Sequence, residues 1–183
     1  MFQNPDYFLM LLLLSILIIS VIIDFRIQKI PNLITFPAII IALLYHFSAN
    51  GTDGLVFSVL GLITGIGLLI IPYMWGGMGA GDAKLMGAVG AILGAKSVFD
   101  AFLLTALVGG IYAIILVLLN QKEFKGFFKK QLITLRLYIF TREYIPDPVE
   151  DSTKKPKLCY GVAIALGTFI YLGLDLSGHH LIF

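Results

Sequence analysis

The sequence predicts an all-α, polytopic integral membrane protein with six transmembrane helices and a cytoplasmic basic amphipathic segment, and three observations predict it. Of the 183 residues, 58% are hydrophobic and only 13% are charged, against roughly 45–50% and 25% in soluble domains. Six apolar runs of spanning or near-spanning length follow one another along the chain. When their connections are placed on alternate sides, twelve of the thirteen Lys and Arg fall on one side, leaving only Lys96 on the other. That bias makes the basic side cytoplasmic and puts both termini outside.

The first run, 7–23, follows a start that holds no Lys or Arg. It therefore lacks the basic n-region of a cleaved signal peptide and reads as a retained helix. The second and third runs, 33–47 and 55–73, are joined by a short polar turn. Runs 83–99 and 101–119 are the fourth and fifth helices, separated at Asp100, and 158–176 is the sixth. The fourth is rich in glycine and resembles a re-entrant hairpin, but a hairpin there would force the basic loop that follows to the outside. Pairs such as Gly61 with Gly65 and Gly90 with Gly94 supply the small faces that let helices pack closely in lipid. Within the one long connection, 120–157, Phe124, Phe127, Phe128, Leu132, Leu135 and Ile139 recur at helical spacing opposite Lys125, Lys129, Lys130 and Arg136. This is the pattern of a basic helix lying on anionic lipid. The whole chain, 1–183, reads as a single transmembrane domain with 120–157 as its long cytoplasmic loop.

Metal and disulfide chemistry find little support. Cys159 is the single cysteine, which excludes an internal disulfide and any cysteine-based zinc site. His179 and His180 are adjacent rather than helically spaced and read as tail residues. No cofactor and no metal is expected, and nothing points to nucleic acid or sets an oligomeric state.

Two carboxylates stand out. The stretch Trp75-Gly76-Gly77-Met78-Gly79-Ala80-Gly81-Asp82-Ala83-Lys84-Leu85 is a flexible glycine loop ending in an acid at the mouth of an apolar helix. By itself, Asp82 also has the bland reading of an N-cap. Asp24, however, closes the first apolar run, and the topology puts both acids on the cytoplasmic side at similar depth. Ionisable residues at membrane depth are costly and mark function. Two carboxyls that share a proton meet the requirement of water-mediated peptide hydrolysis, in which one activates water and the other polarises the carbonyl. Asp82 opens a helix, whose N-terminus favours a carboxylate, and Lys84 adds to that; Asp24 ends one. On this reading Asp82 is the base and Asp24 the acid, although Arg26, two residues after Asp24, favours the reverse order.

The residues also carry a family resemblance. Asp24-Phe25-Arg26-Ile27-Gln28-Lys29-Ile30-Pro31-Asn32-Leu33-Ile34-Thr35 resembles the first signature of the type IV prepilin peptidases. Gly79-Ala80-Gly81-Asp82-Ala83-Lys84-Leu85 resembles their second, Gly-x-Gly-Asp-x-Lys-Leu, and Tyr160-Gly161-Val162-Ala163 is similar to a third segment on the last helix. The resemblance implies an intramembrane aspartic protease of the GxGD kind that removes the short basic leader from prepilin-like proteins at the cytoplasmic face of the inner membrane. The catalytic pair would be Asp24 and Asp82, with Gly79, Gly81, Lys84, Pro31 and Asn32 binding substrate or shaping the site. Its implied partners are a prepilin or pseudopilin and membrane lipid.

Two features depart from the family's pattern. Longer members carry a cysteine-bearing cytoplasmic region with methyltransferase activity after the first helix, and only about eight residues stand there here. The chain therefore resembles the short, Flp/tad-type members. Cys159 also replaces the proline that often precedes Tyr-Gly. Two other classes compete, a small proton- or cation-coupled transporter and a non-catalytic pilus or secretion assembly factor. Both acids lying at one face rather than the midplane, with no visible repeat, argue against the first; the presence of both aspartates argues against the second.

Overall fold

The computed structural model describes residues 7–27, 29–74, 78–119 and 160–177, all but the connections and one turn in α-helix. The chain separates into two compact units, Met1–Gly109 with Leu158–Phe183, and Gly110–Lys157. Of the second unit the described part is 110–119, the last turns of one helix. Trp75 to Gly77, the basic segment 120–157, Cys159, His179 and His180 lie outside the described residues.

Helix α1, Tyr7–Ile27, buries Leu9, Leu13, Ile16, Leu17, Ser20 and Asp24. That is one face of a helix at spacings of three and four. Its other face leaves Leu11, Ile18, Ile22 and Phe25 exposed, as expected of a helix bathed in hydrocarbon. The helix runs four residues past the apolar run and so carries Asp24 within its last turns.

Helix α2, Asn32–Met74, is 43 residues long but breaks at Gly51, whose φ of 60° and ψ of −137° are not helical. Unbroken, it would reach about 65 Å, twice the roughly 30 Å of a bilayer core. The arms 32–50 and 52–74 each match one crossing. A Cβ at Gly54 would fall on the His46 carbonyl, so the two arms turn back on each other at this point.

Helix α3, Ala80–Leu93, is buried almost all round, from Asp82 and Ala83 through Leu85 to Leu93, and packs chiefly against α2. Glycines of α2 explain its close fit against α3. A Cβ at Gly61 would overlap the Gly90 carbonyl, and one at Gly65 the Met86 carbonyl. Gly61→Ala is therefore expected to destabilise by at least about 1–3 kcal/mol, read by thermal unfolding in detergent. Gly67→Ala, where nothing lies within 4 Å, should leave the midpoint unchanged or slightly raised.

The structure corrects the boundary between the fourth and fifth helices. Helix α3 ends at Gly94, which adopts a φ of 85° and donates its N–H to the Gly90 carbonyl, and α4 runs unbroken over Ala95–Leu119. Glycine tolerates positive φ at little cost, whereas Asp100 fits the α-helix and is buried inside α4. Asp100 is thus no loop residue, and Lys96 sits in the first turn of α4. Helix α5, Tyr160–Leu176, packs Gly161, Ala163, Ile164 and Gly167 inward. A Cβ at Gly167 would meet Thr105 of α4. Helices α1, α2 and α4 are long and apolar enough to cross a membrane; α5 is a shorter apolar helix.

Candidate active site

Helix periodicity brings Asp24 to the inner face of α1, where the residue is 4% exposed. Asp82 is the third residue of α3 and is 7% exposed. The two carboxyls lie within electrostatic reach of one another, and Tyr160 stands in the field of Asp82. The expected pair is thus brought together in a buried setting.

Each carboxylate is held by a backbone N–H. The Gly79 amide donates to Asp82 Oδ2 at 2.9 Å, while the Asp82 amide donates to the Gly79 carbonyl at 3.1 Å. Asp82 is therefore not the N-cap: Gly79 takes that position, and Asp82 closes the first turn from inside it. The Gly161 amide donates to Asp24 Oδ2 at 3.1 Å. Gly161 is the second residue of α5, so Asp24, although it nears the end of α1, faces the N-terminus of another helix. Both acids receive the same kind of support, and helix dipoles no longer distinguish a base from an acid.

Ile30, a member of the first signature with no role assigned to it above, lies against both Gly81 and Gly161. A Cβ at Gly81 would come within 3.0 Å of both the Ile30 Cβ and carbonyl, and one at Gly161 within 3.2 Å of Ile30 Cδ1. Ile30 is thus a wedge gripped by the glycines next to each acid, and Gly81 is a site of close approach rather than a hinge.

The remaining expected residues fall close by, with one change of role. Pro31 offers its carbonyl to the Ile34 amide at 3.2 Å, starting α2. Lys84 Nζ donates to Asn32 Oδ1 at 2.8 Å and lies 5.3 Å from the centre of the Phe36 ring. The ammonium thus reaches α2 instead of the Asp82 carboxylate, so the expectation that Lys84 tunes Asp82 gives way to a tie between the two motif-bearing segments. Gly161 and Tyr160 were missed as site residues. The signal available was the likeness of the Tyr160-Gly161 segment to a third motif. Among the described residues no group of three His, Cys, Asp or Glu is placed to hold a metal ion.

A profile of the type IV leader peptidase family matches residues 11–114, more than half of the chain and both aspartates. The chain belongs to this family. It is similar to the prepilin leader peptidase/N-methyltransferase of Escherichia coli K12, at 36% identity over 125 residues, covering 63% of this chain and 52% of that protein. It is also similar to the prepilin leader peptidase/N-methyltransferase of Vibrio cholerae El Tor, at 32% identity over 117 residues, covering 58% and 45%. The chain spans about half the length of these curated relatives. No solved structure matches. Tyr160 and Gly161 lie beyond the region matched to the family, so the hold of α5 on Asp24 is an observation from the structure alone.

Proposed function

We propose that this chain is an intramembrane aspartic endopeptidase that removes the short basic leader from type IV prepilin-like proteins of the Flp type, at the cytoplasmic face of the inner membrane. The observation that carries the reading is the pairing of two buried carboxyls from α1 and α3, each held by a backbone N–H. Membership of the leader peptidase family and the two similar proteins support it. Among the described residues α2 counted as two arms gives six helices, which agrees with a six-crossing reading in which the charge bias of the sequence would set Asp24 and Asp82 at cytoplasmic helix ends.

In this reading the dyad carries one proton. The ionised carboxylate takes a proton from water as the water oxygen attacks the scissile carbonyl carbon, and the protonated carboxyl gives its proton to the carbonyl oxygen. Collapse of the tetrahedral intermediate breaks the C–N bond and protonates the departing amine. The macroscopic titration belongs to the pair rather than to either residue.

Incubating the purified chain in detergent with a prepilin, and identifying the shortened product and its new N-terminus by mass spectrometry, tests the proposal. An uncut prepilin, with the chain folded, overturns it. The Lys84 to Asn32 tie adds a finer expectation. Lys84→Met and Asn32→Ala should each slow cleavage about 3- to 10-fold, and the double variant no more than the slower single one, because both remove the same hydrogen bond. Multiplicative losses would show that the two residues act separately.

A further inference from the structure

Of the five buried serine and threonine hydroxyls among the described residues, three have partners. Thr105 and Thr168 each donate to the carbonyl four residues back at 2.8 Å, and Ser58 donates to the Ala91 carbonyl at 2.7 Å. Ser20 Oγ and Thr35 Oγ1 have none, although the residues are 0% and 1% exposed. A buried hydroxyl left unpaired costs stability, and threonine in a helix has a carbonyl one turn back within reach.

These two positions are not scattered. Asp24 lies three residues before the end of α1 and Thr35 three residues after the start of α2. With a rise of about 1.5 Å per residue, both sit about 4.5 Å from their helix ends across the short connection. Ser20 lies one turn further along α1 from Asp24 on the same buried face, about 6 Å deeper. Counted along their own helices, Thr35 lies as far from the start of α2 as Asp24 lies from the end of α1, and Ser20 lies one turn further along α1.

A peptide entering such a site has a matching need. A bond within a helix is closed to attack, so the substrate must unwind around the cleaved bond. In a buried site the N–H and C=O groups freed by unwinding need hydrogen-bond partners from the protein. A hydroxyl both donates and accepts, which suits either group. Resting on the endopeptidase reading above, we propose that Ser20 and Thr35 are substrate-contacting residues that hydrogen-bond the unwound backbone. Thr35 serves the cleaved bond, and Ser20 serves the residues that follow it toward the membrane interior.

The test is a cleavage assay with the full chain in detergent, on a prepilin bearing its leader and first hydrophobic segment, alongside thermal unfolding. Thr35→Val keeps the shape and removes the hydroxyl. It should lower kcat/KM about 10-fold, the loss of one hydrogen bond to the reacting peptide, with the change in kcat rather than KM because unwinding is completed only on the way to the transition state. Ser20→Ala should do the same. Thr35→Ser should stay within about twofold of the parent. The melting points of Thr35→Val and Ser20→Ala should be equal to or above that of the parent, since each removes an unpaired polar group. Parental kcat/KM in both variants, a rate loss that tracks a falling melting point, or a Thr35→Ser enzyme as slow as Thr35→Val would each overturn the proposal. Should Thr35→Val not fold, Thr35→Ala takes its place with the same readings. An inactive parental chain would instead refute the endopeptidase reading, whereas an active parent with unaffected variants refutes this inference alone.

Discussion

Asn in place of Asp24, or of Asp82, is expected to lower the rate of prepilin cleavage by about a thousandfold or more. The amide has nearly the shape of the carboxyl, and its oxygen still accepts the Gly161 or Gly79 N–H that holds each side chain now. What it loses is the ability to carry the shared proton. Helix content and melting point should therefore stay near the parental values while turnover disappears. The two losses should also fail to multiply, because the pair acts as a unit. Near-parental turnover in either single variant, measured by appearance of the shortened prepilin, would end the dyad mechanism.

The second large effect is expected at Gly161. A methyl group there would stand 2.9 Å from Asp24 Oδ2 and 3.2 Å from its Cγ, so the carboxyl must move or α5 must retreat. Displacements on the order of 1 Å at a reacting group cost up to about 100-fold, and Gly161→Ala should lower kcat/KM by about 10- to 100-fold. Stability should hardly change, since alanine is the better helix former and only the ends of two side chains, Asp24 and Ile30, are displaced. Gly173→Ala, on the same helix with nothing within 4 Å, serves as the control and should cleave at the parental rate. Equal rates in both variants would show that the contact between α5 and Asp24 does not position the acid.

Much of this was legible in the order of residues. The apolar runs foretold the helical architecture because hydrocarbon admits little else, and the bias of Lys and Arg among the connections led to the expectation that Asp24 and Asp82 share one side of the membrane. The boundary at Gly94 was not legible. A run such as Gly87 to Gly94 is compatible with a continuous helix, and nothing local distinguishes the glycine that takes a positive φ from those that only make room for a neighbour. Asp100 looked like a break because an acid in an apolar stretch resembles a loop; the structure instead buries it within α4. The partner of Asp24 was illegible for a different reason. Gly161 lies 137 residues away, and periodicity reports which face of a helix is inward but never which helix will meet it there. The role of Lys84 was misread because nearness in sequence to Asp82 stood in for direction, whereas its long side chain reaches α2.

The hold of α5 on Asp24 also sets an order of events during synthesis. A ribosome adding about 5–20 residues per second needs roughly 4–16 s to pass from Asp82 to Tyr160. During that interval both acids exist, yet the N–H that orients one of them has not been made. On the proposed reading, proteolytic competence would arrive only after α5 has been made and has docked against Asp24. On that reading, a nascent chain stalled before Tyr160 would hold both aspartates but lack the N–H that orients Asp24.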